Sequence, residues 1–126
     1  MSNKIIKLNR GDSYNFTIAI PNSENALGDY YKLVERKDVV YFAIMNPHQR
    51  FEDALLLQGY TSEDQNEDTG EIIIRLTPND TRELTPGIYY YTVKLQRGGS
   101  IDFINDYDEP DEVRTIIERT KFIINE

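Results

Sequence analysis

Few side chains in this sequence could do chemistry, and none of them stands in a catalytic pattern. His48 is the single histidine of the 126 residues, and it follows Pro47 in a turn signal. A histidine-based triad needs a positioned nucleophile and an orienting acid, and nothing near His48 indicates either. The absence of cysteine excludes disulfides, thiolate metal sites and thiol catalysis. We therefore expect no catalytic residues and no cofactor, and we interpret His48 as a surface turn residue.

Asp64, Asn66 and Asp68 place oxygen-bearing side chains at alternate positions before Gly70. Calcium loops use such spacing because alternate residues of a tight turn can point at one hard cation. The match is poor, since the glycine comes one place late and the twelfth position is Arg75 instead of a bidentate glutamate. We interpret the three residues as weak metal candidates in a solvated hairpin loop over residues 62–70, and predict no metal site.

A second acidic cluster lies in residues 105–112. It could hold a divalent cation or meet a basic partner, but charge runs in loops are usually solvated. Paired carboxylates can also hydrolyse glycosidic bonds. Such an enzyme needs a cleft, and a small domain of short strands leaves little room for one. The sequence therefore favours a protein that is not an enzyme.

Fourteen basic and 22 acidic residues give the chain a net charge of −8. Phosphate binding needs clustered positive charge, so this balance argues against a nucleic-acid partner and against an anionic membrane. No stretch approaches the length of a membrane span. Residues 1–8 lack the apolar core of a signal peptide. We expect one domain, residues 1–126, made in a cytoplasm.

Apolar alternation predicts that most of the chain is β-strand. Residues 14–20 and 71–76 alternate with period 2, and residues 39–45 form a nearly continuous apolar run that is typical of an interior strand. Further strands are predicted at residues 5–8, 55–61, 88–95 and 100–104. Residues 113–124 fit either one long strand with a bulge at residues 118–119 or two short strands.

Two other segments leave alternatives open. Residues 51–57 would suit a short helix, although the polar turns around residues 55–61 favour a strand there. The polar connection over residues 22–38 has room for a helical turn near residues 29–36. Seven to nine strands without a ten-residue helical pattern predict an all-β sandwich.

Residues 76–95 are the stretch around which the predicted fold is organised. Thr77 followed by Pro78 and Asp80 is a helix-start signal. The segment is predicted to run from a strand, through a corner with a short helical turn near residues 78–84, into a strand that opens on Gly-x-Tyr-x-Tyr. This arrangement resembles the tyrosine corner of immunoglobulin-like sandwiches. The predicted corner residues are Asp80, Thr81, Leu84, Pro86, Gly87, Tyr89 and Tyr91.

Nine tyrosines are many for a chain of this length, and exposed aromatic side chains bind sugars and protein partners. Tyr90 faces opposite to Tyr89 and Tyr91, so we expect it on an outer sheet face or in contact with another subunit. The candidate interface tyrosines are Tyr30, Tyr31, Tyr90 and Tyr107. The core-filling tyrosines are expected to be Tyr14, Tyr41, Tyr89 and Tyr91.

The order of these segments is similar to that of a known family. Arg10-Gly11-Asp12-Ser13-x-x-Phe16 is followed by Val40-x-Phe42-x-Ile44, then by Asp80-Thr81-x-x-Leu84-x-Pro86-Gly87-x-Tyr89-x-Tyr91, and finally by Val113-x-Thr115-Ile116-Ile117. This pattern resembles the small immunoglobulin-like β-sandwich proteins of tailed bacteriophages and prophages. It is similar in particular to the N-terminal domain of baseplate upper proteins, over nearly the whole chain. The most specific part is the corner segment.

The resemblance implies an immunoglobulin-like antiparallel β-sandwich with a structural role in the virion, at the tail, baseplate or neck. The implied partners are other virion proteins or further copies of the chain, and no catalysis is implied. Residues 28–38 look like an insertion, and the connection over residues 98–112 is longer than a hairpin needs. We expect a free-standing virion or prophage protein instead of a full baseplate subunit. The alternative is a cell-surface carbohydrate-binding module, with calcium as a candidate helper ion.

Overall fold

A computed structural model describes residues 4–20, 31–35, 37–97 and 112–126. These residues form seven β-strands, one short α-helix and two 3₁₀ turns. The strands are β1 (Ile6–Asn9), β2 (Tyr14–Ala19), β3 (Asp38–Met45), β4 (Leu56–Tyr60), β5 (Glu71–Leu76), β6 (Gly87–Arg97) and β7 (Glu112–Asn125). Helix α1 spans Pro78–Arg82, and the 3₁₀ turns span Phe51–Asp53 and Ser62–Asp64. The predicted all-β class is confirmed.

The strands form a five-stranded sheet in the order β1-β7-β6-β3-β4 and a two-stranded sheet of β2 and β5. Every pairing is antiparallel except that of β1 with β7, where Ile6 lies beside Phe122 and Leu8 beside Ile124. The prediction of a purely antiparallel architecture is therefore wrong at this edge, and the sheet is mixed. Because β1 and β7 come from opposite ends of the chain, no tight turn joins them and imposes an antiparallel pairing.

The two sheets enclose one hydrophobic core. Alternate residues of β5 (Ile72, Ile74) point into it from the small sheet, and alternate residues of β3 and β6 point into it from the large one. Phe16 of β2 bridges the layers, since its ring centroid lies 5.7 Å from that of Phe42 and 6.1 Å from that of Tyr91. The period-2 pattern of the sequence corresponds to this one-sided burial.

Strand β3 is buried on both faces, as its continuous apolar run predicts. Its outward-facing residues Tyr41, Ala43 and Met45 pack with Phe51 of the first 3₁₀ turn, and the Tyr41 and Phe51 ring centroids are 6.1 Å apart. The favoured strand prediction for residues 55–61 is confirmed by β4. Only the single 3₁₀ turn at Phe51–Asp53 remains of the helical alternative.

The predicted hairpin loop over residues 62–70 does not join β4 and β5 as paired strands, but the segment contains a smaller hairpin turn. Gln65 forms an antiparallel bridge with Ile72 there, and the Asn66 N–H donates to the Glu71 carbonyl at 2.8 Å. Strand β4 pairs with β3 and β5 pairs with β2, so this connection leads from one sheet to the other. Side chains join the two edges, because the Tyr60 hydroxyl accepts the Arg75 backbone N–H at 3.0 Å and donates to Gln58 at 2.7 Å. Polar turn residues mark both kinds of connection, so the pattern does not distinguish a hairpin from a crossing between sheets.

The end of the chain forms one long strand, β7, so the one-strand alternative is confirmed. Its pairing with β6 shifts twice, because Tyr91 pairs with Thr120, Val93 with Ile117, and Lys94 with Thr115. The first shift falls at residues 118–119, where the bulge was predicted. The second lies between Ile117 and Thr115. The predicted strand at 100–104 and the acidic residues 105–111 lie outside the described residues. Of the helical turn predicted near 29–36, residues 31–35 are described and contain no helix, so that prediction is wrong there.

Candidate functional site

Helix α1 begins with a reciprocal cap. The Thr77 hydroxyl accepts the Asp80 backbone N–H at 3.3 Å, and the Asp80 carboxylate accepts the Thr77 backbone N–H at 2.8 Å. Pro78 occupies the first helical position, where no N–H is needed. The Asp80 carboxylate also accepts a long hydrogen bond from the Gln58 amide, at 3.4 Å. The predicted corner residue Asp80 is therefore a capping residue of helix α1.

Thr81 fastens this corner to the turn between β1 and β2. Its side chain has 0% exposure; its hydroxyl accepts the Gly11 N–H at 3.0 Å and donates to the Asp12 carbonyl at 2.8 Å. The Arg10 guanidinium donates to the Arg82 carbonyl at 2.9 Å. Gly11 has a φ of +90°, a conformation that favours glycine in a tight turn. One buried hydroxyl thus closes a contact between segments about seventy residues apart.

Tyr89 closes the corner from the other side. It is buried, and its hydroxyl donates to the Thr85 carbonyl at 2.6 Å and lies 3.1 Å from the Thr85 hydroxyl. Leu84 is buried in the same core cluster as Tyr89. Because the hydroxyl bonds to backbone four residues upstream, the third residue of β6 holds the bend that precedes it.

The other predicted corner residues occupy two environments. Pro86 and Gly87 are exposed at the bend. Tyr91 is buried, and its hydroxyl donates to the Lys4 carbonyl, which ties β6 to the segment before β1. Burial raises the pKa of Tyr91, and the hydrogen bond to Lys4 opposes that rise. The corner therefore consists of structural contacts, and its buried polar groups are used within the fold.

A different surface lies on the outer face of the large sheet. Ile88 pairs with Ile123 across β6 and β7, and Tyr90 pairs with Lys121. Ile88 is 53% exposed and Ile5, just before β1, is 50% exposed. We call this surface the Ile88 patch, and it consists of Ile5, Lys7, Ile88, Tyr90, Lys121 and Ile123. It combines solvent-exposed aliphatic side chains with cationic ones in a chain of net charge −8.

Arg119 borders the Ile88 patch and was missed by the sequence analysis. Its guanidinium carbon lies 5.6 Å from the Tyr90 ring centroid. The same group donates to the carbonyls of Gln49 at 2.8 Å, Pro47 at 3.1 Å and Asn46 at 3.2 Å. The predicted bulge was the available signal, since a bulge redirects side chains. Arg119 thereby holds the β3–β4 connection against Tyr90.

Tyr31 lies at the opposite end of the sheet from Tyr90. Its hydroxyl donates to the buried Asp38 carboxylate at 2.6 Å and accepts from Arg97 Nε at 3.0 Å. Burial raises the pKa of the Tyr31 phenol, as does the Asp38 carboxylate, while Arg97 opposes the rise. Arg97 lies seven positions after Tyr90 along β6, about 23 Å away at strand spacing. The two tyrosines therefore do not form one surface, and Tyr30 and Tyr107 lie outside the described residues.

The weak metal candidates use their oxygens locally. The Asp64 carboxylate accepts the Thr61 N–H at 2.8 Å, and the Asn66 side-chain oxygen accepts the N–H groups of Asp68 at 2.8 Å and Thr69 at 3.0 Å. Among the described residues, no group of three or more His, Asp or Glu side chains is placed to hold a metal ion. This segment is organised as capped turns.

The segment that carries the weak metal candidates, residues 61–70, is fastened to residues 31–35 by Gln65. Its buried amide donates to the Tyr31 carbonyl at 2.9 Å and accepts the Leu33 N–H at 2.9 Å. A groove of about 380 Å3 lies between the two segments. Its charged wall residues are Lys32, Glu35, Glu63 and Glu67, so acids outnumber the one cation by three to one. We call the surface around this groove the acidic end, and it consists of Glu35, Glu63, Asp64 and Asp68. All four of these side chains are exposed.

A second groove of about 500 Å3 runs beside the corner, where Leu55, Glu83 and Tyr89 contribute to its walls. The buried Tyr89 hydroxyl is already bonded within the corner. His48 is exposed in the β3–β4 connection and does not line this groove. The groove is thus an open depression beside a structural contact.

Comparisons with protein-family models, with curated proteins and with solved structures found no match to this chain. No helix within the described ranges combines the length and the apolar character needed to cross a membrane. The functional assignment therefore depends on the geometry of the molecule and on the sequence resemblance.

Proposed function

We propose that this chain is a non-enzymatic structural protein of a tailed-bacteriophage or prophage particle, in the tail, baseplate or neck. It acts through protein–protein assembly, with other virion proteins and further copies of itself as partners. The observation that carries the proposal is the Ile88 patch. Exposed aliphatic side chains gathered beside an aromatic ring on one sheet face, here Ile5 and Ile88 beside the half-buried Tyr90, are typical of surfaces that contact other proteins.

We also propose that the fold is immunoglobulin-like, and the strand pairings support this. In the variable-type fold, strands G, F, C and C′ form one sheet, while B and E lie in the other. The order β7-β6-β3-β4 and the separate β2–β5 pair correspond to that arrangement when strands are assigned in chain order. The parallel edge strand β1 is added to it.

The corner supports the same proposal. In the tyrosine corner, a tyrosine near the start of strand F bonds through its hydroxyl to backbone a few residues upstream. Tyr89 is the third residue of β6, and its hydroxyl donates to the Thr85 carbonyl at 2.6 Å. The corner lies between β5 and β6, which take the places of strands E and F.

Particle association tests the proposed role. Phage particles are induced from a strain that encodes the chain, banded by density, and examined by quantitative mass spectrometry. We expect the chain to band with the particles in fixed ratio to the major structural proteins. A chain that stays in the free-protein fraction contradicts the proposal. Saturable glycan binding that depends on calcium would favour the carbohydrate-binding alternative instead.

A further inference from the structure

We infer that the Ile88 patch binds the acidic end of a second copy of this chain, in a head-to-tail contact. The inference deepens the proposed assembly role and rests on it. The two surfaces differ in charge sign. Lys7 and Lys121 flank the isoleucines of the patch, while Glu35 and Glu63 line the groove at the acidic end.

These charges are available for an intermolecular contact. Lys7, Lys121, Glu35 and Glu63 are all exposed. None of them forms an ion pair within the described part of the chain, where the ion pairs are Arg50–Asp53 and Arg97–Glu112. Complementary charges orient two partners and speed their encounter.

The acidic end also offers an apolar contact. Val34, next to Glu35, is 47% exposed. It can pack against the isoleucines while lysine side chains reach the carboxylates of the groove. Aliphatic contact supplies the affinity of such an interface, and the charges fix its orientation.

The two surfaces lie at opposite ends of the molecule. Ile88 is the second residue of β6, and Arg97 at the other end of the strand contacts Tyr31. Gln65 joins Tyr31 to residues 61–70, which carry Glu63, Asp64 and Asp68 of the acidic end. Arg97 lies nine positions after Ile88 along the strand, about 30 Å away. One copy therefore cannot cover its own patch with its own acidic end.

Different complementary surfaces on one chain produce a heterologous contact, which repeats from copy to copy into a ring or a filament. A face-to-face contact between two patches would bring Lys7 and Lys121 of both copies together. Like charges at that position disfavour it. The charge pattern thus favours the acidic end of a second copy as the partner that covers the Ile88 patch.

Sedimentation velocity of the full chain at rising concentration tests the contact. We expect the wild type to form species larger than a monomer. Ile88→Asp and the double variant Glu35→Lys/Glu63→Lys should each raise the dissociation constant by about tenfold or more. Two matched controls should associate like wild type. Ile73→Asp changes an exposed isoleucine on the small sheet, and Glu83→Lys changes an exposed acid at the corner. Lys121→Glu replaces Ile88→Asp if circular dichroism shows that the latter does not fold.

Mixing the two disrupted variants identifies the geometry. The acidic end of Ile88→Asp is intact, and the patch of Glu35→Lys/Glu63→Lys is intact. An equimolar mixture should therefore form a 1:1 complex and stop there, because the remaining two surfaces both carry lysines and no longer match. A face-to-face dimer would instead leave Ile88→Asp monomeric in the mixture, and that result overturns the inference.

Two further outcomes also overturn it. One is a wild-type chain that remains monomeric at every concentration. The other is unchanged association of the double variant Glu35→Lys/Glu63→Lys. If Ile88→Asp blocks particle incorporation without any self-association, the patch belongs to a different virion protein. Particle banding of the wild type is measured separately, so failure of the head-to-tail contact and failure of the proposed virion role give different results.

Discussion

The corner and the Ile88 patch lie close to the same end of β6 but use their side chains in opposite ways. At the corner, the hydroxyls of Thr81 and Tyr89 are buried and bonded to backbone groups. At the patch, Ile88 and its cross-strand partner Ile123 face outward, and Ile88 is more than half exposed. Neighbouring residues of one strand, Ile88 and Tyr89, thus belong to different surfaces because successive side chains point to opposite faces.

This difference separates stability from association. A corner substitution removes contacts that the unfolded chain lacks, so it should lower the free energy of unfolding. A patch substitution changes a surface that is solvated in the monomer, so it should alter association alone. Substitutions in the two regions can therefore test the two roles independently.

The largest expected effect at the corner comes from Leu84→Ala. Leu84 is buried in the core between the sheets, and truncation leaves a cavity there. We expect a loss of about 3 kcal/mol in the free energy of unfolding, measured by urea titration. The exposed Leu57→Ala on β4 is the control and should cost much less. Equal losses in the two variants would contradict the assignment of Leu84 to the core.

Thr81→Val should have the next largest effect on the free energy of unfolding. The substitution keeps the branched shape but removes the hydroxyl, which leaves the Gly11 N–H and the Asp12 carbonyl without their partner. We expect a loss of about 2 kcal/mol in the free energy of unfolding. Thr17→Val, at an exposed position on β2, is the matched control. A Thr81→Val protein as stable as the control would show that the buried hydroxyl does not fasten the corner to the β1–β2 turn.

Tyr89→Phe should cost about 1 kcal/mol, because it removes the hydrogen bond to the Thr85 carbonyl while the ring stays in place. Tyr90→Phe on the opposite face is the control, since the Tyr90 hydroxyl makes no hydrogen bond within the described residues. Thermal and urea unfolding of the two variants give the comparison directly. Indistinguishable stabilities would reject the tyrosine-corner contact.

The corner could be predicted from the sequence because its signals are local. Thr77, Pro78 and Asp80 form a cap at fixed spacing, and a cap requires no knowledge of distant residues. The strands could also be predicted from the sequence, since one-sided burial imposes a period of 2 on their apolar residues. The contact of Thr81 with the β1–β2 turn could not be predicted from the sequence, because it joins segments about seventy residues apart.

Pairing partners were predicted less well than strands. Alternation indicates that one face of a strand is buried but does not identify the neighbouring strand. The parallel edge at β1 and the crossing between β4 and β5 were missed for that reason. The hydrogen bond from the half-buried Tyr31 to Asp38, the first residue of β3, had no signal in the strand pattern either.

The patch was only partly predictable. The alternation that directs Tyr89 and Tyr91 into the core directs Tyr90 to the outer face of the sheet, so this residue of the patch could be predicted. Ile5, Ile88 and Ile123 were missed because an exposed isoleucine and a buried one look the same in a strand pattern. Their proximity depends on the β6–β7 register and on the parallel pairing of β1, both of which are long-range.

The smallest expected effect on stability is that of Ile88→Ser. Because Ile88 is more than half exposed, its replacement should change the free energy of unfolding by less than about 0.5 kcal/mol. Ile73→Ser, 41% exposed on the small sheet, should behave in the same way in urea titration. The two variants should differ only in self-association, which Ile88→Ser weakens and Ile73→Ser leaves unchanged. A stability loss above about 1 kcal/mol for Ile88→Ser alone would mean that this side chain supports the fold of the monomer. In that case its surface would not be free for a second copy.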